Sequence, residues 1–297
     1  MAVNTGLVVA AHGRHFIVEA DDRQRVLCHR RGKKVDCVVG DRVQWRAAGD
    51  GGVIEAVLPR RSLLWRQDRW RSKSFAANLD ALIVMVAVAP PMAEGLLARA
   101  LIAAAHAGIA AQVLLNKVDL PEAAAARERL EPYRRMGVPV LEASVKRDAA
   151  GMRARFAPLL AHRVTLLLGA SGVGKSTLIN ALMPDAAAQV GEISQALNAG
   201  RHTTTTTSWY WLDDAHDAAV LDSPGFQEFG LQQLEAAELA RWLPDVAEHA
   251  AHCRFVNCTH RSEPDCAVRA AAERGDIAAS RLRLYEQLYE ELARPRY

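Results

Sequence analysis

Two textures of hydrophobic and polar positions divide the chain. Over the first 58 residues the apolar runs are short and alternate with polar positions. Two runs flank His12-Gly13, a hairpin signal, and three more lie near 25–28, 41–45 and 53–58. Turn residues separate them: Arg31-Gly32, Gly40-Asp41 and Asp50-Gly51-Gly52. Five short strands in so few residues predict a small barrel, best matched by an OB-fold. From Leu79 the texture changes. Residues 79–89 are apolar apart from Asp80, as in a strand buried on both faces. Helical stretches follow at 95–107, 122–136 and 152–161, interleaved with apolar strands at 111–115, 138–141 and 164–168. This alternation predicts a parallel sheet with helices on both faces. The last third, from Gln232, reads as mostly helical. The predicted organisation is therefore multidomain α/β. An OB-type barrel (1–62) is followed by a basic linker (63–76), a central nucleotide-binding domain (77–231) and a helical metal-binding domain (232–297).

Composition narrows the class. The longest apolar stretch is about 13 residues and contains Pro90 and Pro91, below the roughly 20 needed to span a bilayer. The N-terminus lacks the charged head and apolar core of a secretory signal. A soluble, cytoplasmic, monomeric protein is expected, with no membrane partner. Charged residues at 24% and hydrophobic residues at 50% exclude wholesale disorder.

The net charge of +3 conceals a polarity. The first 75 residues hold 15 Lys or Arg against 8 Asp or Glu, a net of +7, and the remainder carries −4. The excess is densest at Arg60, Arg61, Arg66, Arg69, Arg71 and Lys73, interleaved with Trp65 and Trp70. Cations mixed with aromatics suit a phosphate backbone with unstacked bases, which makes these six residues candidate RNA contacts. A solvated linker whose tryptophans pack on a neighbouring domain has the same pattern.

The strand at 164–168 leads into Gly169-Ala170-Ser171-Gly172-Val173-Gly174-Lys175-Ser176-Thr177, a G-x-x-x-x-G-K-[ST] loop between strand and helix. Its glycines let backbone N–H groups converge on phosphates at a helix N-terminus. Lys175 supplies charge to the β- and γ-phosphates, and the Ser176 hydroxyl coordinates Mg²⁺. Asn116-Lys117-Val118-Asp119 selects the base. A carboxylate at Asp119 accepts two hydrogen bonds from guanine N1 and N2, a donor pair that adenine lacks. Asn116 braces the loop and the Lys117 stem covers the base. Ala143-Ser144, after the next strand, matches the small-residue loop behind guanine O6.

Asp222-Ser223-Pro224-Gly225 is a D-x-x-G at the end of an apolar strand. It assigns Asp222 to Mg²⁺ and the Gly225 amide to the γ-phosphate. Thr203 to Thr207 should contain the switch I threonine that completes the Mg²⁺ shell, Thr204 or Thr205. The order is permuted: Asn116–Asp119 precedes the phosphate loop instead of following the D-x-x-G. Switch II therefore runs directly into the C-terminal region. Phe226 occupies the position where Ras-type enzymes carry a water-orienting glutamine. Hydrolysis of GTP to GDP should be slow without a partner. His202 and Gln227 are substitutes for that glutamine, each with a competing structural reading.

Five cysteines are present. Cys28 and Cys37 read as buried thiols. Cys253, Cys258, His260 and Cys266 give three thiolates and one imidazole within fourteen residues, a closed site for one structural Zn²⁺.

Taken together these motifs resemble the circularly permuted, bacterial ribosome small-subunit-dependent GTPase A family. Val39-Gly40-Asp41-Arg42-Val43 and Pro59-Arg60-Arg61-Ser62 look like its barrel signatures, and the four zinc ligands match one by one. Asp265 departs from it, since glycine is expected before the last cysteine. The resemblance implies late maturation of the 30S subunit, contact with its rRNA, and GTP hydrolysis stimulated by that subunit. Two other readings stay open at this point: a permuted GTPase of the large subunit, and a GTP-driven metal-delivery protein.

Overall fold

The computed structural model describes residues 3–32, 36–68, 71–183, 207–223, 230–231 and 233–294. Five strands form the barrel: β1 (Asn4–His12), β2 (His15–Ala20), β3 (Arg25–Arg30), β4 (Arg42–Ala48) and β5 (Gly51–Val57). They pair in the order β1-β2-β3-β5-β4, and β4 returns to β1, so the barrel is closed. β3 and β5 run parallel, and this Greek-key route identifies the OB type that strand count alone leaves open. Val8, Phe16, Val18, Cys28, Val43, Trp45 and Ile54 fill the interior. Gly52 is required there, because a Cβ would meet Cys28 Sγ and the Trp45 ring, each at 2.7 Å. Burial pushes the Cys28 thiol up to about 11, in keeping with a packed thiol.

Residues 63–76, read above as a basic linker, form a hairpin instead. β6 (Leu63–Asp68) pairs antiparallel with β7 (Arg71–Ala77). The physical reason is a set of apolar residues among the charges: Leu64, Phe75, Ala76 and Ala77 are buried, and the first three join the main core. The Asp36 carboxylate accepts from Ser74 Oγ at 2.7 Å, and an isolated bridge joins Val39 to Ala76.

The central sheet follows the predicted alternation. It contains β8 (Ala81–Ala87), β9 (Ala110–Asn116), β10 (Val140–Ala143), β11 (Val164–Gly169), β12 (Ser208–Trp211) and β13 (Ala219–Asp222), in the order β10-β9-β8-β11-β13-β12. All are parallel to their neighbours except β12. Every residue of β8 is buried. Leu82, Val84 and Val86 join the core on one face with residues of α1 (Glu94–His106) and α2 (Ala123–Arg135). Ile83, Met85 and Ala87 join the core on the other with α3 (Ala149–Leu160) and α4 (Lys175–Leu182). The loops after β8, β9, β11 and β13 gather at one edge, where an open α/β sheet places its ligand.

The C-terminal region comprises a 3₁₀ segment (Ala236–Trp242), α5 (Pro244–Ala250), α6 (Ala267–Arg274) and α7 (Ala279–Ala293). It shares one core with α1 and α2. Arg281 of α7 is buried, donates to both oxygens of Asp245 at 2.8 and 3.1 Å, and lies over the Tyr133 ring at 4.9 Å. Arg99 of α1 pairs with Glu291 of α7. No helix among the described residues is long and apolar enough to cross a membrane.

Candidate nucleotide site and metal cluster

Two side chains, Asn116 and Lys117, tie the end of β9 to the loop after β11. Asn116 is 3% exposed; its Nδ2 donates to Val173 O at 2.8 Å and its Oδ1 accepts from Val145 N at 3.1 Å. The bracing expected of Asn116 is thus directed at the phosphate loop and at the residue after Ser144. Gly174 sits in the left-handed region (φ 110), and a Cβ there would strike the Asn116 amide. Lys117, itself left-handed (φ 63), lays its stem across the gap and donates through Nζ to Ala89 O at 2.5 Å and Gly172 O at 2.8 Å. Val118 N donates to Ala143 O at 3.3 Å.

Asp119 faces the same opening. Its backbone N–H donates to Ser144 Oγ at 3.0 Å. The hydrogen bond with Ser144, assisted by the Arg147 guanidinium at 3.0 Å, holds the Asp119 carboxyl below its ordinary value. The shift favours the ionised, acceptor-only form of the carboxyl. Arg147 is a partner that motif reading does not reveal, since it lies beyond the small-residue loop.

At the phosphate end Lys175 is 9% exposed and donates to Gly169 O at 2.7 Å and Ala170 O at 3.1 Å. Burial lowers its pKa, and the nearby Asp222 opposes that shift. Burial drives Asp222 the other way, up to about 6, with Lys175 opposing. Asp222 Oδ1 is buried without a hydrogen-bond partner among the described residues. Ser223 Oγ donates to Leu167 O at 2.8 Å and fixes the chain after β13. A cleft of about 760 Å³ joins Asp119 and Ser144 at one end to Ser171, Ser176, Thr177 and Asp222 at the other. An orphaned carboxylate oxygen in the cleft that also holds the Ser176 hydroxyl suits a hard cation with oxygen ligands, so these residues fit Mg²⁺. His202, Thr204, Thr205, Gly225 and Gln227 lie outside the described residues.

The ligand atoms of Cys253, Cys258, His260 and Cys266 all lie within 4.8 Å of one another. Cys253 Sγ is 3.4 Å from His260 Nδ1, Cys266 Sγ is 3.6 Å from it, and the two sulfurs are 3.9 Å apart. Zn–S and Zn–N bonds of ordinary length in a tetrahedron give edges of about 3.8 and 3.6 Å, so the donor set fits zinc. A disulfide requires sulfurs about 2.0 Å apart. Asp265 is left-handed (φ 56), which explains why glycine is the expected residue there. Glu263 stitches the loop by accepting from Thr259 N at 2.7 Å and Arg261 N at 3.1 Å.

The six basic candidates differ in placement. Arg60 grips Asp41, which is fully buried, at 2.7 and 2.8 Å, and also reaches Asp36. Arg61 pairs with Asp80 at 2.7 Å. The register sets Arg66 opposite Lys73, and Lys73 is exposed. Arg69 and the side chains of Arg66 and Arg71 lie outside the described residues.

The model of the RsgA GTPase family matches residues 57–232. The chain belongs to the RsgA GTPase family. It is 52% identical over 300 residues to the small ribosomal subunit biogenesis GTPase RsgA of Variovorax paradoxus (strain S110), covering 99% of this chain and 94% of that protein. The RsgA of Bordetella pertussis is also 52% identical, over 293 residues, with 98% and 97% covered. Among solved structures, YjeQ from Thermotoga maritima superposes with a TM-score of 0.74 at 30% identity, covering 99% of this chain and 100% of that one. YloQ, described as a circularly permuted GTPase, gives 0.70 at 26% identity, with 100% and 98% covered. Membership in the RsgA family makes the chain a GTP hydrolase. The permuted order read from Asn116–Asp119 and the phosphate loop agrees with the description of YloQ.

Proposed function

We propose that this GTPase binds the small (30S) ribosomal subunit, acts in its late maturation, and hydrolyses GTP to GDP and phosphate with stimulation by that subunit. The observation that carries this reading is the convergence of Asp119, Lys175 and Asp222 on one cleft, in a chain whose relatives are named for small-subunit biogenesis. Asp119 reads the guanine edge and Asn116 keeps that reader at a fixed distance from the phosphate loop. Lys175 exchanges two carbonyl acceptors for phosphate oxygens. Ser176 and Asp222, with Thr204 or Thr205, would hold Mg²⁺, which neutralises charge on the β- and γ-phosphates. The Gly225 amide takes the γ-phosphate. Phe226 cannot orient water, so the subunit completes the hydrolytic site, with His202 and Gln227 as the candidate substitutes that the sequence offers.

The β6–β7 hairpin beside the barrel contacts rRNA through Arg66, Arg69, Arg71 and Lys73. One zinc ion staples the C-terminal unit. The burial of His260 and Cys266 favours a structural ion over delivered cargo. We infer a cytoplasmic monomer with units at 1–62, 77–231 and 232–297. The test is GTPase rate with purified 30S subunits, 50S subunits and neither, with ATP as control. Stimulation by 30S alone is expected; equal rates in all three would refute the reading.

A further inference from the structure

The barrel is attached to the sheet at the strand that leaves switch I. Ser208, the first residue of β12, pairs on one side with Asp222 of β13 and on the other with Ala10 of β1. One backbone position thus separates the orphaned carboxylate of the nucleotide cleft from the barrel wall. β1 is irregular at that point, its register with β2 shifting between Val8 and Ala10. Such a bulge bends a strand and re-aims it.

A second contact lies further along β12. Glu19 of β2 is 6% exposed, although it belongs to a barrel surface. Its Oε1 accepts from Trp211 Nε1 at 2.9 Å and lies 3.1 Å from His216 Nδ1. Its Oε2 accepts from Arg25 Nε at 3.2 Å. The His216 ring stacks on Trp211, with centroids 4.5 Å apart and an interplanar angle of 12°. A buried carboxylate demands partners, and here two of its three come from the nucleotide-binding domain. Trp211 ends β12 and His216 lies within the turn that joins β12 to β13, so displacement of β12 or of that turn is felt at Glu19.

We propose that Glu19 is a positioning residue that couples the nucleotide cleft to the barrel through β12. Ser208 transmits displacement at Asp222 to β1, and the Trp211–His216 stack transmits it to β2. The orientation of the barrel relative to the sheet then depends on whether the switches are ordered by GTP. This rests on the reading of 200–207 as switch I and of the chain as a 30S-binding GTPase. Coupling of this kind is reciprocal: whatever factor GTP adds to the affinity for the subunit, the subunit adds to the affinity for GTP.

The test uses the full zinc-loaded chain. Affinity for 30S subunits is measured with a non-hydrolysable GTP analogue and with GDP, and their ratio is taken. Glu19→Gln removes the charge at constant shape. Trp211→Phe removes the indole donor and part of the ring, and leaves an aromatic face for His216. Both are expected to shrink the ratio by about threefold or more while affinity in the GDP state stays within about twofold. His216→Ala, at a half-exposed position, is the safeguard if either variant unfolds. A purely structural role lowers thermal stability and both affinities together and leaves the ratio intact, which overturns the proposal. A wild-type ratio of one overturns instead the reading of a GTP-controlled 30S partner, and the coupling with it.

Discussion

Asp222 and Lys175 share one end of the cleft, and burial shifts both from their ordinary behaviour, the carboxyl up to about 6 and the ammonium down. Each opposes the other's shift, yet their attraction does not cancel the desolvation. A raised carboxyl pKa means that the folded protein disfavours the ionised form. From this group, stability therefore falls as pH rises from about 4 through about 6, and the deficit persists above it. Cation binding requires the ionised form and releases a proton below that point. Affinity for GTP in the presence of Mg²⁺ is expected to strengthen by up to about tenfold per pH unit below 6 and to level off above it. Calorimetry in two buffers of different ionisation enthalpy detects the proton. Asp222→Asn should flatten the profile, abolish hydrolysis, and raise the stability of the nucleotide-free protein at pH 8 by about 1–3 kcal/mol.

The base reader makes a separate prediction. On the proposed reading Asp119 accepts from guanine N1 and N2, and Ser144 and Arg147 lower the pKa of its carboxyl. Asp119→Asn presents an amide in its place. GTP affinity should fall by about a hundredfold or more, because one guanine donor then meets another donor. Xanthosine triphosphate carries a carbonyl where guanine has its amino group, so its affinity should rise. Competition of each nucleotide against a fluorescent GDP analogue checks the exchange. Thermal stability should hardly change, since Arg147 is largely exposed and stays solvated.

The cleft was largely legible in the sequence because its chemistry is local. Residues 169–177 and 116–119 are contiguous, and each lies at the end of a strand that its own apolar run announces. The Cys253, Cys258, His260 and Cys266 cluster is legible for the same reason. Contacts between distant segments were not legible. Nothing near Asn116 says that it will hold Val173, 57 residues away. The hairpin at 63–77 was hidden because the charges dominate its pattern, while its burial depends on Val39 and Asp36 from another loop. Arg60 is ambiguous in isolation. The same residue type serves a phosphate or a buried carboxylate, and only the fold reveals Asp41 beside it.

That difference is measurable. Asp41 is fully buried and accepts from Val38 N at 2.8 Å as well as from Arg60. Removing Arg60 leaves a buried charge without its counterion. Arg60→Ala should cost about 3–5 kcal/mol in urea unfolding. Arg61→Ala breaks an exposed pair and should cost less than about 1 kcal/mol. Lys73→Ala, whose side chain is exposed in the hairpin, should leave stability unchanged and weaken 30S binding in a salt-dependent way. If Arg60→Ala were the variant that weakened binding at unchanged stability, its assignment to Asp41 would be wrong.

The metal cluster can be tested through its backbone as well as its ligands. One zinc per chain is expected by elemental analysis, and it should leave only as the C-terminal helices unfold, since His260 and Cys266 are buried and Tyr285 of α7 donates to Thr259 O at 3.1 Å beside them. Cys258→Ala should remove the ion and lower the melting temperature of those helices. Asp265→Gly tests the departure from the expected glycine. Its left-handed backbone (φ 56) costs an L-residue about 1 kcal/mol, partly offset by the greater freedom of glycine in the unfolded chain. The ion pair lost, Arg254 with Asp265, is exposed on both sides and contributes little. Asp265→Gly should therefore keep full zinc occupancy and gain up to about 1 kcal/mol. Loss of zinc on that substitution would mean that the Arg254–Asp265 pair, not the turn geometry, holds Cys266 in place.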